Sequence, residues 1–272
     1  MFPKKTNFFR VFALFFLITL SAFCIDSENS TSFLTPKLPQ PATSSIELIN
    51  KGALLLSQGK LIEAENVLSK ACDENQNSPE AFYNLGLTLS FEGDFTNASK
   101  NFTKAINLKP EFPAANLALG VAYISNGETE KALDAFSKCY QQSDPFSENG
   151  KSAFFNRGIA LGRLKRFSEA ELCFSELLAQ NPDDPFPAFE IGKLKMQQGK
   201  NVQALEWLDA AKTALPLEVS ILKGKIQLKM GKKAEANKSL EEAKQLLQRS
   251  NFSQEVCKDI ASEVENLLLQ SQ

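Results

Sequence analysis

Small and large apolar residues recur along this chain with one long period. Glycines stand at Gly52, Gly86, Gly120, Gly158, Gly192 and Gly224, at spacings of 34, 34, 38, 34 and 32 residues. Seven residues on runs a second ladder, Gly59, Gly93, Gly127, Gly199 and Gly231, with Lys165 at the missing rung. Five further on come Ala64, Ala98, Ala132, Ala170, Ala204 and Ala236. Four residues after each alanine stands a large apolar residue: Leu68, Phe102, Phe136, Phe174, Leu208 and Leu240. Ladders that stay in register over six units predict a repeat array.

Each ladder has a physical reading. A glycine at the first rung lets a second helix cross closely over the first. The second glycine marks where a helix stops, because glycine takes the left-handed conformation at little cost. The alanine fits a tight helix–helix contact, and the large residue one turn later fills the groove beside it. Pro110, Pro182 and Pro216 are expected to end the second helix of their units.

The pattern resembles the tetratricopeptide repeat, a helix–turn–helix of 34 residues. In residues 79–112 the resemblance rests on Phe82, Leu85, Gly86, Leu89, Gly93, Phe95, Ala98, Phe102, Ala105 and Pro110. Residues 113–146 add Leu119, Gly120, Tyr123, Gly127, Ala132 and Phe136, and residues 151–184 add Phe154, Gly158, Leu161, Phe167, Ala170, Phe174 and Pro182. Units 45–78, 185–216 and 217–250 match more weakly. The resemblance implies an all-α fold: a right-handed superhelical solenoid of six helix–turn–helix units over residues 45–250. Residues 251–272 would form a C-terminal capping helix, with Ser253 as its cap, Glu255 in its first turn, and Val256, Ile260, Val264, Leu267 and Leu268 on its apolar face.

Some positions depart from the pattern. Lys51, Arg157 and Lys223 precede a first-ladder glycine where leucine is usual, so looser packing with snorkelling charges is expected there. Lys195 replaces a large apolar residue. Ser147–Gly150 is a four-residue insertion, expected to lengthen the loop between the third and fourth units.

The N-terminus reads differently. Lys4, Lys5 and Arg10 precede an uncharged run from Val11 to Phe23, too short for a spanning helix and suited to a signal peptide over residues 1–24. Cleavage is expected after Cys24 or after Ala22. An uncleaved anchor and lipidation of Cys24 stay open, although Phe23 is bulky for a lipidation site and Leu20 lies one place too far back. Residues 25–44, rich in Ser, Thr and Pro, read as a flexible tether. The expected localisation is exported: periplasmic, secreted or envelope-associated.

Charge and chemistry narrow the function. The chain has 30 basic and 32 acidic residues, so no nucleic-acid partner is expected, and a membrane is expected only through the N-terminal anchor. It has no histidine, which removes histidine-dependent hydrolysis and histidine-ligated metals. Cys72, Cys139, Cys173 and Cys257 show no metal-binding spacing, and their repeat positions point to packed free thiols. No nucleotide-binding or nucleophile-elbow motif stands in a usable context. Sequons occur at Asn29, Asn97, Asn101, Asn237 and Asn251. No enzyme, cofactor or metal site is expected.

By the resemblance, the first helix of each unit lines a concave face that receives a protein or peptide segment. Its inward positions in the second to fourth units are Tyr83, Leu87 and Phe91, then Leu117, Val121 and Ile124, then Phe155 and Ile159. Asn84 and Asn156 fit places in the two-carboxylate clamp of chaperone-binding relatives. Ile49, Ala53, Ala114 and Ala118 occupy the other places of one alignment, and Leu117, Val121, Phe186 and Glu190 those of the other, so that clamp is absent. The expected function is an exported scaffold or adaptor holding an apolar partner segment, with Asn84 and Asn156 bonding its backbone. The alternative is an envelope assembly or secretion factor of the pilotin kind.

Overall fold

The computed structural model describes residues 43–249 and 254–272. Among them are thirteen α-helices and no strand. The expected signal peptide, most of the tether, Asn29, Asn251 and Ser253 lie outside the described residues, as do the side chains of Glu255, Val256 and Cys257. The helices fall into two units, residues 43–160 and 161–272.

The first unit contains α1 (Thr43–Ser57), α2 (Leu61–Glu74), α3 (Pro79–Glu92), α4 (Phe95–Leu108), α5 (Pro113–Asn126) and α6 (Thr129–Gln142). It also holds most of α7 (Glu148–Arg163), inside which the division falls. Each of α1 to α5 packs on the next along the chain, and α6 meets α7 through Phe136, Cys139, Ala153 and Ala160. The second unit contains α8 (Phe167–Gln180), α9 (Pro185–Gln197), α10 (Asn201–Ala211), α11 (Pro216–Lys229), α12 (Lys233–Arg249) and α13 (Gln254–Ser271). Here too each helix packs on its successor. The architecture is an all-α repeat solenoid.

The first glycine ladder is a steric requirement. A Cβ built on Gly86 would lie 2.6 Å from Phe102 Cε1, and one on Gly224 would lie 2.6 Å from Leu240 Cγ. Leu68, Phe102, Phe136, Leu208 and Leu240 of the second helices therefore rest directly on the glycine backbone of the first, and Phe102, Phe136 and Leu240 are 0% exposed. The second ladder is conformational. Gly93 has φ 85° and ends α3, its N–H donating to carbonyls of the last turn. Lys165 holds the same turn with φ 60°, the only non-glycine residue with positive φ among those described. Its N–H donates to Gly162 O at 3.1 Å, and that of Arg166 to Leu161 O at 2.9 Å. A side chain in this region costs about 1–2 kcal/mol, partly offset by the entropy a glycine loses on folding. Lys165→Gly is therefore expected to stabilise the protein by about 0.5–1 kcal/mol, read as a higher urea midpoint at unchanged slope.

Several expectations are corrected. Pro216 does not end a helix; like Pro79, Pro113 and Pro185 it is a first residue, where its missing N–H has no intrahelical partner to lose. Pro110 and Pro182 do follow helix ends. The insertion lengthens the loop by one residue only, Ser147, and its other three residues extend the helix. Glu148–Gly150 form the first turn of α7, and the Gly150 N–H donates to Ser147 Oγ at 3.1 Å. Ser147 Oγ in turn donates to Asp144 O at 2.6 Å, and a Cβ on Gly150 would run into that same carbonyl oxygen.

The charged departures have separate causes. Ala81, Leu85 and Thr88 on α3, and Ala115, Leu119 and Ala122 on α5, are buried where the preceding helix pair packs. The matching residues of α1 are Glu47, Lys51 and Leu54, which are exposed and meet no helix before α1 among the described residues. Lys51 is thus a surface residue and not a loosely packed one. Lys223 is paired with Asp209 of α10 at 2.6 Å, and Arg157 lies over the Phe154 ring at 5.8 Å. Lys195 is buried despite its charge, held by both Glu171 oxygens at 2.7 and 2.8 Å. On α13, Ile260, Val264 and Leu268 pack with Leu217, Ile221, Leu240 and Leu247, and Lys225 pairs with Glu263 at 2.6 Å.

Candidate functional site

The predicted inward residues lie in the unit of residues 43–160, on α3, α5 and α7. Spacings of three and four residues put Tyr83, Leu87 and Phe91 on one face of α3, and Leu117, Val121 and Ile124 on one face of α5. Phe155 and Ile159 share a face of α7. Pro79 and Pro113 start α3 and α5 with a preset φ, and Gly93 and Gly127 end them, so both helices are the same length and their faces stay in step.

Tyr83, Leu87 and Phe91 are half-buried, each using part of its surface against the core of this unit. The Tyr83 ring lies 5.9 Å from Phe102 and 5.0 Å from Phe112, centroid to centroid, which fixes its direction. Val121 and Ile124 pack in the same half-buried way beside Phe136 and Cys139. Phe155 and Ile159 are half-buried as well. Leu117 is different. It is 1% exposed, enclosed with Phe136, Cys139, Ala153 and Ala160, and it is removed from the candidate contact residues.

The two asparagines are half-buried, and their amides are already engaged. Asn84 Nδ2 donates to Glu80 O at 3.0 Å, and Asn156 Nδ2 donates to Ser152 O at 2.8 Å. A bond back to the preceding turn uses one of the two amide N–H groups and leaves the other, with the Oδ1 oxygen, to offer outward. Among the inward positions of α3 and α5, only Glu80 is charged, and it pairs with Lys109 at 3.7 Å. The face is therefore apolar with side-chain amides set into it.

Sequence reasoning missed Asn116, which stands where the second and fourth units carry Phe82 and Phe154. It is 2% exposed, and its Nδ2 donates to Gln142 Oε1 at 3.0 Å, while Gln142 Nε2 donates to Pro110 O at 2.9 Å. This chain ties α5 and α6 to the loop before α5 in place of aromatic packing. The thiols carry no comparable chemistry. Cys72, Cys139 and Cys173 are free and buried, and burial pushes the thiols of Cys72 and Cys139 up to about 11, so both stay protonated. Of the sequons, Asn97 is exposed, whereas Asn237 Nδ2 donates to Ser271 Oγ of α13 at 3.2 Å. Among the described residues no helix is long and apolar enough to cross a membrane.

Comparison with known proteins agrees with this geometry. The family model described as Tetratricopeptide repeat matches residues 83–148 and 155–218. The human protein O-mannosyl-transferase TMTC3 is 26% identical over 189 residues, which is 68% of this chain and 20% of that protein. The chain thus spans about a fifth of that relative's length. A tetratricopeptide repeat protein from Parabacteroides merdae has a similar structure, with a TM-score of 0.66, 22% identity, and coverage of 84% of this chain and 87% of that one. PilW, described as a widely conserved type IV pilus biogenesis factor, aligns with a TM-score of 0.65 and 18% identity over 80% of this chain and 99% of its own. Two family matches that together take in all of α4 to α6 and α8 to α10, on an all-helical repeat fold with both glycine ladders in place, make this chain a member of the tetratricopeptide repeat family.

Proposed function

We propose that the protein is an exported scaffold that holds an apolar segment of a partner protein on the inward face of its 43–160 unit. One observation carries the reading: Tyr83, Leu87, Phe91, Val121, Ile124, Phe155 and Ile159 are large and apolar, yet only half-buried. Half-burial fixes each side chain against the core, so little rotamer entropy remains to be lost on binding. The amides of Asn84 and Asn156, each with an oxygen and one N–H to offer, suit a partner with free backbone N–H and C=O groups, which an extended segment has. No catalytic role is assigned. The transferase relative is matched over only a fifth of its length, so its activity is not carried over.

The test is the double variant Leu87→Glu, Val121→Glu. Two buried carboxylates on the contact face are expected to lower affinity for the native partner at least a hundredfold, at about 1.5–3 kcal/mol for each side chain. Leu87 and Val121 also pack against the core, so a lower melting temperature is expected, and the comparison is made at a temperature where circular dichroism shows the variant folded. Retention of every partner in a crosslinked pull-down from the native cell would show that another surface carries the contact.

A second reading, an envelope assembly factor of the pilotin kind, is favoured by the likeness to PilW and to Pseudomonas aeruginosa pilF. The latter aligns with a TM-score of 0.60 over 97% of its chain. Metabolic labelling with a palmitate analogue separates the two readings, because the envelope role is the one that uses lipidated Cys24.

A further inference from the structure

The unit of residues 161–272 has 16 basic and 16 acidic residues, yet they are not mixed. Its helices alternate in direction, and each packs on its successor from α8 to α12. Consequently the turns into α8, α10 and α12 lie along one edge. These turns share one geometry, with positive φ at Lys165, Gly199 and Gly231. Lys165, Arg166, Lys200, Lys229, Lys232 and Lys233 stand on them, all exposed. Only two carboxylates answer: Glu169, bonded to Arg166, and Glu235, 3.7 Å from Lys232. Among the described residues no ion pair engages Lys165, Lys200, Lys229 or Lys233. The opposite edge, where α8 passes to α9 and α10 to α11, carries Glu176, Asp183, Asp184, Asp209 and Glu218 against one lysine, Lys212.

Turn geometry does not bring this charge with it. The matching turns of the 43–160 unit hold Lys60, then Glu92 and Asp94, then Glu128. The basic edge is a property of these residues in this unit.

We propose that this edge docks on an anionic lipid surface. The turns project at the ends of helix pairs, so the row offers a line of tips and no groove in which a peptide could bury its side chains. A flat, diffuse array of negative charge meets such a row best. Apolar side chains accompany the cations: Val202 is 61% exposed in the first turn of α10, and Leu164 and Met230 are half-buried on the turns themselves. Cations beside apolar groups at one level are what an interfacial contact uses. The contact is independent of the groove on α3, α5 and α7. It would hold the array against a membrane whether or not residues 1–24 anchor it.

The test is sedimentation of the full chain with vesicles of mixed phosphatidylcholine and phosphatidylglycerol, and with phosphatidylcholine alone. The readout is the ratio of binding to the two, which cancels lipid-independent insertion by the apolar N-terminus. Each lysine at a charged membrane surface contributes about fivefold. Lys200→Glu, Lys229→Glu, Lys233→Glu together should lower the ratio about a hundredfold. Lys60→Glu, Lys70→Glu, Lys100→Glu, an equal change of net charge in the other unit, should leave it nearly unchanged. Raised salt should weaken wild-type binding steeply. A ratio near one for folded wild type overturns the proposal, and so does an equal fall in both triple variants. Binding to soluble polyglutamate with no preference for anionic vesicles also overturns it, and assigns the edge to an acidic protein.

Discussion

Gly120→Ala is expected to lower the free energy of unfolding by about 3 kcal/mol, at the upper end for adding one methyl group to a packed core. The added Cβ would stand 2.6 Å from Phe136 Cδ1 and 2.8 Å from Cζ, and Phe136 is 0% exposed with no room to retreat. Either α5 and α6 move apart, opening contacts along both helices, or the ring leaves its rotamer. Gly127→Ala, seven residues on, should cost only about 1 kcal/mol. Nothing lies within 4 Å of its Cβ, and the penalty is the φ of 81° alone. Combining Gly120→Ala with Phe136→Leu should recover part of the loss, because the smaller side chain can withdraw from the new methyl. The same double change built around Gly127 should recover nothing. Urea unfolding followed by circular dichroism reads all of these. Equal costs for Gly120→Ala and Gly127→Ala would mean that the two ladders do not differ in physical origin.

That contrast also explains how far the sequence could be read. A close helix crossing and a left-handed turn each demand one residue type at one place, so both were legible as glycine ladders, and even the exception at Lys165 was visible as a missing rung. What depends on a partner distant in sequence was not legible. Lys195 looked misplaced because Glu171, which makes its burial tolerable, lies 24 residues away on another helix. Asn116 gave no signal, since its value depends on Gln142, 26 residues on. Pro216 was assigned to the wrong side of a boundary because proline suits both the stop after one helix and the start of the next. The expected inward stripe came from the family resemblance. The closure over Leu117 was not, because it depends on how Ala153 and Ala160 of α7 approach α5 and α6.

Burial of Lys195 leads to the second large effect, Glu171→Ala. Lys195 is 8% exposed on α9, and both Glu171 oxygens on α8 receive its ammonium at 2.7 and 2.8 Å. Removing the carboxylate leaves a buried charge with no counter-ion, a change that costs about 3–5 kcal/mol in a closed interior. The Glu171 side chain retains 33% exposure, so water can reach the vacated place, and about 2–3 kcal/mol is expected here. Lys195→Met alone should be far milder. It restores the apolar residue that the repeat pattern calls for, fills a similar volume, and leaves Glu171 able to turn to solvent. The double variant should then unfold within about 1 kcal/mol of wild type, because a paired charge and a well-packed apolar side chain of similar size are nearly equivalent in such a site. The coupling between the two positions, taken from the four melting curves, is the quantity of interest. A value near zero would mean that water solvates Lys195 directly. A value of about 2 kcal/mol would identify the pair as the contact that fixes α9 against α8, the packing that sets the spacing of the basic turns in this unit.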